Sequence, residues 1–330
     1  MNYRSLGKTG LRVSELGMGC SGIGRTLYRR DDSGAIATLR ASLDQGVNLF
    51  DTAPNYSAGE SERLIGEALK GKRDQVILTS KVGARGTAVG RLAKQYKYLL
   101  RPARFLFEPI LRAAARQYRH SQRQIDYSES FIINSLEQSL GRLQTDYLDI
   151  FLLYHPTAQS LREAEFCETL NNLKAAGKIR HWGISVDTLE QAMMCLEIPD
   201  VAVVQLDLSM VSSEPAHEFL TYARQKNVGV VARKVLAQGL LTGSTAQTKA
   251  DRWVADKEQL QAMRLKANKL AFLATGGRTL TQAALLHIRG LPSVASAVVG
   301  YSGQEHLREV MAAYGLPLLT EDECAKIGAL

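Results

Sequence analysis

The chain has 330 residues, 45% of them hydrophobic and 22% charged. That composition is ordinary for a globular protein with a sizeable core, and no apolar run reaches the ~18–20 residues needed to span a bilayer. The formal net charge of +8 sits mainly in one place, because residues 85–123 hold ten Lys/Arg and one acid, Glu108, while the remainder is close to neutral.

The opening residues, MNYRSLGKTGLRVSELG, contain no long apolar stretch, so no secretory signal is expected. Cys20, Cys167, Cys195 and Cys324 form no C-x-x-C pair. Their scatter predicts reduced thiols in a cytoplasmic protein, with neither a disulfide framework nor a metal site.

Short apolar runs alternate with amphipathic stretches along the chain. VSELGMGC, VNLFDTA, QVILTSKV, YLDIFLLYH, HWGISV, VAVVQLDL, VGVVARKVL and VASAVVGY read as eight strands. DSGAIATLRASLDQG, SESFIINSLEQSLGRL, LREAEFCETLNNLKAAG and PAHEFLTYARQKN read as helices, with Gly46, Gly177 and Gly315 at expected helix stops. Such β–α units imply parallel strands joined by right-handed crossovers, either closed into a barrel or open and doubly wound. No G-x-G-x-x-G follows the first strand, since Gly22-Ile-Gly24 lacks the third glycine. Two connections are long, 83–127 and 237–278, and the second is expected to contain an extra helix around KEQLQAMRLKANKLAFLA. Both follow strands at the end where barrel enzymes place their substrate loops.

Asp51, Tyr56 and Lys81 are the candidate chemistry. A phenol is a poor acid at neutral pH, with a pKa of ~10. A nearby ammonium favours the phenolate, and a carboxylate can hold that ammonium in place. Reduction of a carbonyl needs such a proton donor, tuned toward the operating pH. The plainer readings are a capping carboxylate for Asp51 and an aromatic packed over a loop for Tyr56. Lys81 ends an apolar strand and must be solvated or paired, because burying a lone ammonium is costly.

FDTAPNYSAGESE followed by TSKVG resembles the aldo-keto reductases. The likeness extends through YRSLGKTGLRVSELGMG, TDYLDIFLLYHP, GKIRHWGIS, VVARKVLAQGLLTG and ASAVVGYSGQEHLREV, nearly end to end. It implies an α/β fold, a (β/α)8 TIM barrel with an N-terminal β-hairpin and long loops at the C-terminal face, as one domain over 1–330. It implies reduction of an aldehyde or ketone by hydride from NADPH, with NADH as the alternative, and a proton from Tyr56. Lys81 would tune Tyr56 and Asp51 would orient Lys81.

The family's fourth catalytic group is a histidine five residues after the Asp of the Y-x-D strand. Here that place is Tyr154, and His155 comes one residue later. Successive strand side chains point to opposite faces, so His155 can substitute only if the strand end is bulged or already loop-like. Either residue is a candidate to aim the carbonyl. For the cofactor, the resemblance assigns Ser185 and Gln205 to the nicotinamide amide, with Val186 where an Asn is usual, and Arg233 to the stacking position. It assigns Gly239 and Leu241, in GLLTG, to the pyrophosphate loop. Gly300, Ser302 and His306 fall on the last cofactor segment, with Val310 in the place of an adenine-binding Asn; the usual arginine for a 2′-phosphate is not evident, which leaves Arg308 or a loop lysine for that place.

The basic segment mixes arginine with aromatics and leucine. It reads as a lid or subunit contact, as a cover for a large or acidic substrate, or as a contact for an anionic membrane surface. It matches no recognised nucleic-acid module. The expected partner is a small carbonyl substrate, and the expected assembly a monomer or small homo-oligomer. Two rivals stand beside the reductase: a non-redox or narrow biosynthetic enzyme on the same barrel, and a cofactor-binding regulatory subunit like the channel-associated members of the family.

Overall fold

An antiparallel hairpin, β1 (Tyr3–Ser5) and β2 (Arg12–Ser14), precedes a closed parallel barrel. The computed structural model describes residues 1–24, 32–85, 125–211, 216–243, 248, 250–254, 256–301 and 303–330. The barrel strands are β3 (Leu16–Gly19), β4 (Leu49–Asp51), β5 (Ile77–Val82), β6 (Leu148–Tyr154), β7 (Ile179–Val186), β8 (Val203–Asp207), β9 (Gly229–Arg233) and β10 (Val294–Val299). They follow one another round the barrel in chain order, and β10 closes onto β3. The eight strands read from the sequence are therefore present. Most are shorter than the runs read, and VSELGMGC is two strands, because Val13 and Ser14 belong to the hairpin and Leu16–Gly19 to the barrel. Glu15, between them, is buried and pinned by Arg4 at 2.7 Å and Arg289 at 3.2 Å.

Strand alternation sorts the side chains into two layers. Phe50, Leu78, Phe151, Trp182, Ile184 and Val204 point outward into the main core, against the surrounding helices. Leu49, Ile77, Ile150, Leu152, Val203, Val231 and Val298 fill the barrel, and the hairpin adds Leu6 and Val13 to the same cluster. Leu6 lies so close to β9 that a Cβ on Gly229 would come within 2.7 Å of it. The hairpin thus plugs the N-terminal end of the barrel, leaving polar side chains to the C-terminal end.

The helices show matching stripes. Glu129–Leu143 buries Ile132, Leu136, Leu140 and Leu143, spaced by three and four residues. Glu62, fully buried on helix Glu60–Ala68, accepts from Ser80 Oγ and Arg142 Nε, each at 2.7 Å, and so fixes β5 to two helices. LREAEFCETLNNLKAAG, expected as one helix, is two, Ala158–Glu163 and Phe166–Ala175, separated where Ala164 turns left-handed at φ 47°. The extra helix expected within 237–278 is present as Lys257–Lys269, capped by Asp256. Leu241, Leu270, Leu273, Ala284 and Ile327 form a second small core beside the barrel. The basic segment 85–123 lies outside the described residues except for Arg85, which pairs with Asp126 at 2.8 Å. No helix among the described residues is long and apolar enough to cross a membrane.

Truncating the plug tests this account. Leu6→Ala should lower stability by about 2–5 kcal/mol, the range for a leucine cut back in a closed core. Urea unfolding measures it, and a loss under about 1 kcal/mol would mean the hairpin does not seal the barrel.

Candidate active site

The inward positions at the C-terminal ends of the strands are polar. They are Asp51 on β4, Lys81 on β5, Tyr154 on β6, Ser185 on β7, Gln205 and Asp207 on β8, and Arg233 on β9. Tyr154 is level with Ser185, Ser185 with Gln205, and Asp207 with Arg233. The alternation that buries valines lower in the barrel presents these groups at its mouth.

Asp51 sits at the centre. Lys81 Nζ donates to Asp51 Oδ1 at 2.6 Å and to the Thr52 carbonyl at 2.9 Å. Gln205 Nε2 donates to Asp51 Oδ2 at 2.7 Å, and Ser185 Oγ donates to Gln205 Oε1 at 3.0 Å. In an eight-stranded barrel β8 lies diametrically opposite β4, so Gln205 reaches Asp51 across the full width of the mouth. Lys81 is 2% exposed and Asp51 4%. A buried pair of this kind stands only when its remaining hydrogen-bonding capacity is met, as it is here.

Tyr56 opens the turn after β4. Ser57, Ala58 and Gly59 follow in succession with φ of 51°, 59° and 90°. Left-handed residues other than glycine each carry a cost of about 1–2 kcal/mol, so the turn must be held by its surroundings. Ser57 Oγ donates to the Ile23 carbonyl at 3.0 Å, and Ser61 Oγ to the Cys20 carbonyl at 2.9 Å. The Lys81 ammonium lies 5.2 Å from the centre of the Tyr56 ring. Asp51, Tyr56 and Lys81 are therefore together.

Tyr154 takes the inward direction, with Tyr56, Lys81 and Arg233 as its electrostatic neighbours. Burial, and then the nearby Tyr56, push its hydroxyl well above the ordinary phenol range despite Arg233 and Lys81, so it stays a donor. His155 comes just after the strand with φ 57°, and its ring centre lies 3.6 Å from that of Tyr154. Its Nδ1 is 2.6 Å from Asp187 Oδ2. Burial lowers the His155 pKa, with Arg233 and Lys234 acting the same way, and together these outweigh the opposing effect of Asp187.

Sequence reasoning missed the network that follows from this. Asp187 also accepts from Arg233 at 2.7 Å, and Arg233 Nε is 3.1 Å from Asp207. Lys234 reaches Asp207 at 2.5 Å and Asp187 at 3.6 Å. Burial opposes the Asp187 charge, yet the adjoining His155 ring and the two cations hold its carboxyl well below the usual range. Burial likewise opposes the Arg233 charge, and the acids around it raise its pKa further above ordinary. The signal was legible: Ser185-x-Asp187 and Gln205-x-Asp207 repeat one spacing at adjacent strand ends.

The chemistry of these side chains fits a nicotinamide amide. Ser185 Oγ keeps its acceptor capacity, and Gln205 keeps one N–H and one acceptor site beyond the bonds described. Arg233 is fixed by Asp187, Asp207 and the Val186 carbonyl, so its planar group is pre-set rather than free. Gly239 follows a left-handed Gln238, and Leu241 is fully buried in the second core, so only its backbone is available to a ligand. Gly300 and His306 are exposed, and Val310 is buried in the main core instead of facing outward. Ser302 lies outside the described residues.

A parallel barrel with this polar mouth is the frame of a nicotinamide-dependent oxidoreductase acting on carbonyls. The chain belongs to the aldo/keto reductase family, whose description matches residues 15–330. It is 33% identical over 250 residues to aldo-keto reductase YhdN of Bacillus subtilis (strain 168), covering 75% of this chain and 66% of that protein. The uncharacterized oxidoreductase YqkF of the same strain is 26% identical over 329 residues, or 98% of this chain and 94% of its own. Among solved structures, aldo-keto reductase AKR11C1 from Bacillus halodurans in its holo form superposes with a TM-score of 0.77 at 26% identity, over 100% of this chain and 96% of that one. The protein is thus an enzyme that reduces carbonyl groups with a nicotinamide cofactor.

The rim network makes stability fall with acid. The lowered Asp187 pKa stabilises the fold above the unfolded carboxylate value of ~4 and is lost as pH drops. The lowered His155 pKa acts in the same direction below ~6.5, where the unfolded ring takes up a proton that the folded one resists. Half of the Asp187 side chain is open to water, which screens the effect. Asp187→Asn should be less stable than wild type at pH 7, and the gap in urea midpoint should begin to shrink below pH ~5 and go on shrinking below the usual carboxylate range, where the folded carboxyl takes up its proton. A gap independent of pH would exclude a charge effect.

Proposed function

We propose that the enzyme protonates its carbonyl substrate from Tyr56 while Tyr154 aligns the carbonyl oxygen. The observation that carries this reading is the buried Lys81 ammonium, bound to Asp51 and 5.2 Å from the Tyr56 ring. Positive charge at that place stabilises the negative charge left on the Tyr56 oxygen as its proton departs. Asp51 holds Lys81, and Gln205 holds Asp51, so the proton donor is supported from across the barrel. The nicotinamide cofactor, when bound, supplies hydride to the carbonyl carbon. Ser185 and Gln205 would hold its amide and Arg233 would lie along its ring. The Gly239–Leu241 backbone and the segment with Gly300, Ser302 and His306 would hold its phosphates and adenosine.

Tyr154 is preferred to His155 as the aligning group because its side chain points inward beside Tyr56, whereas His155 is tied to Asp187. Asp51, Tyr56 and Lys81 together favour a reductase over a cofactor-binding regulatory subunit, which has no need of a proton donor. The exposed His306 and Arg308, on helix Gln304–Ala312, support NADPH over NADH. All four cysteines are free, which supports a cytoplasmic setting. Residues 1–330 act as one domain in this reading, since the site draws on β4 through helix Gln304–Ala312.

Tyr56→Phe should reduce kcat by about 10²–10⁴-fold and leave cofactor affinity within about twofold. Steady-state kinetics with a panel of aldehydes and ketones provides the measurement, and full turnover in the variant would sink the assignment. Titration of protein fluorescence with each cofactor should give tighter binding for NADPH. Equal or tighter binding of NADH would reverse the preference.

A further inference from the structure

The peptide unit that joins Tyr154 to His155 is held at both edges. Its N–H, on His155, donates to the Ser185 carbonyl on the β7 side at 3.0 Å. Its carbonyl, on Tyr154, accepts from the Tyr127 hydroxyl at 2.9 Å. A carbonyl has no proton to give, so Tyr127 is the donor. This lies past the last paired residues of β5 and β6, Val82 and Leu153, and just before the left-handed His155 at φ 57°. Strand pairing with β5 has ended there, and a side chain takes over. Tyr127 closes the long connection that leaves β5, and its ring packs against the main core, edge-to-face on Phe166 with centres 6.0 Å apart. Phe166 meets Trp182 in the same way at 6.3 Å. The ring lies so near the end of β5 that a Cβ on Gly83 would come within 2.6 Å of it, and within 3.0 Å of the Tyr154 carbonyl oxygen. The neck of the connection is tied as well: the Asp126 N–H donates to the Gly83 carbonyl at 2.9 Å, and Ala84 bridges Ile125.

We propose that Tyr127 is a positioning residue for the reaction: by fixing the Tyr154 carbonyl it sets the direction of the Tyr154 side chain, and so the place of the substrate's carbonyl oxygen. This rests on the aligning role of Tyr154 proposed above. Tyr127 acts through the backbone, from the helix side of the strand end, while the Tyr154 phenol points into the mouth. Without the Tyr127 hydroxyl the Tyr154 carbonyl loses a partner, and the peptide is free to turn beside a left-handed residue. A shift of about 1 Å made away from the reacting atoms can cost about 10²-fold in rate.

Tyr127→Phe removes only that hydroxyl. Turnover is counted per molecule that binds cofactor in the fluorescence titration, so unfolded protein does not enter. On this scale kcat for the best carbonyl of the panel should fall about tenfold or more, with cofactor affinity within about twofold of wild type. A double-mutant cycle then separates positioning from general damage. Once Tyr154→Phe has removed the aligning hydroxyl, Tyr127→Phe should change kcat by less than about twofold. A loss of the same size in both backgrounds overturns the proposal. So does wild-type turnover in Tyr127→Phe while Tyr154→Phe is impaired, a result that leaves the aligning role standing. Wild-type turnover in Tyr154→Phe removes the aligning role and this proposal with it. Amide exchange in the wild-type enzyme needs no variant to fold: the His155 N–H should be protected to within about tenfold of the amides of β6, and exchange at the rate of an open loop overturns the proposal too.

Discussion

The Asp51 carboxylate, closed into the throat of the barrel, is the constraint on which the site depends. Its two oxygens take hydrogen bonds from opposite sides, Lys81 on the neighbouring strand and Gln205 on the strand across the barrel. Removing one partner from a buried ion pair typically costs about 3–5 kcal/mol, because the other charge is stranded. The arrangement is therefore stiff as well as polar. Lys81 cannot wander from Tyr56 without abandoning Asp51, and Gln205 cannot turn to another partner without leaving an oxygen unmet.

The rest of the molecule keeps those strand ends in register. At the far end, Leu6 and Val13 seal the barrel, and Arg4, Glu15 and Arg289 lock the hairpin to it. On the outside, Asp149 is buried, accepts the Leu78 amide at 2.9 Å and is gripped by Arg73 and Arg180, which flank the Tyr147 ring. The Glu62–Ser80–Arg142 cluster holds β5 one residue from Lys81. Charge thus has two uses here. Around the base and flanks it fastens strands to helices, and at the mouth it sets the reacting groups.

Much of this was legible because the barrel obeys a simple parity. Once QVILTSKV and VAVVQLDL are read as strands, alternation puts Lys81 and Gln205 inside, with Ile77 and Val203 lower in the barrel. The same rule placed Tyr154 inward and left His155 unresolved, since a residue just past a strand is no longer bound by alternation. Its left-handed backbone brings it to Asp187, a contact between two strand ends that no local pattern encodes. The Asp187–Arg233–Asp207–Lys234 network escaped notice for a related reason. Each member lies at or beyond the last residue of its strand, and their meeting depends on the staggering of β7, β8 and β9. Leu241 and Val310 were read from motif position alone, and packing turned both side chains into cores. The break at Ala164 shows the same limit, because an amphipathic stripe continues across a kink that only the backbone reveals.

The bond between Gln205 and Asp51 also divides labour along the chain. Asp51, Tyr56, Lys81 and Tyr154, the groups assigned to the proton, all come from the first half of the barrel, β3 to β6. Ser185, Gln205, Arg233 and the segments assigned to the cofactor all come from the second, β7 to β10. One half can thus be retuned for a different nucleotide while the other keeps its acid, except where a side chain joins the two. Gln205 is where a change made for the cofactor is inherited by the proton donor, and there the two lineages of side chains must change together or not at all.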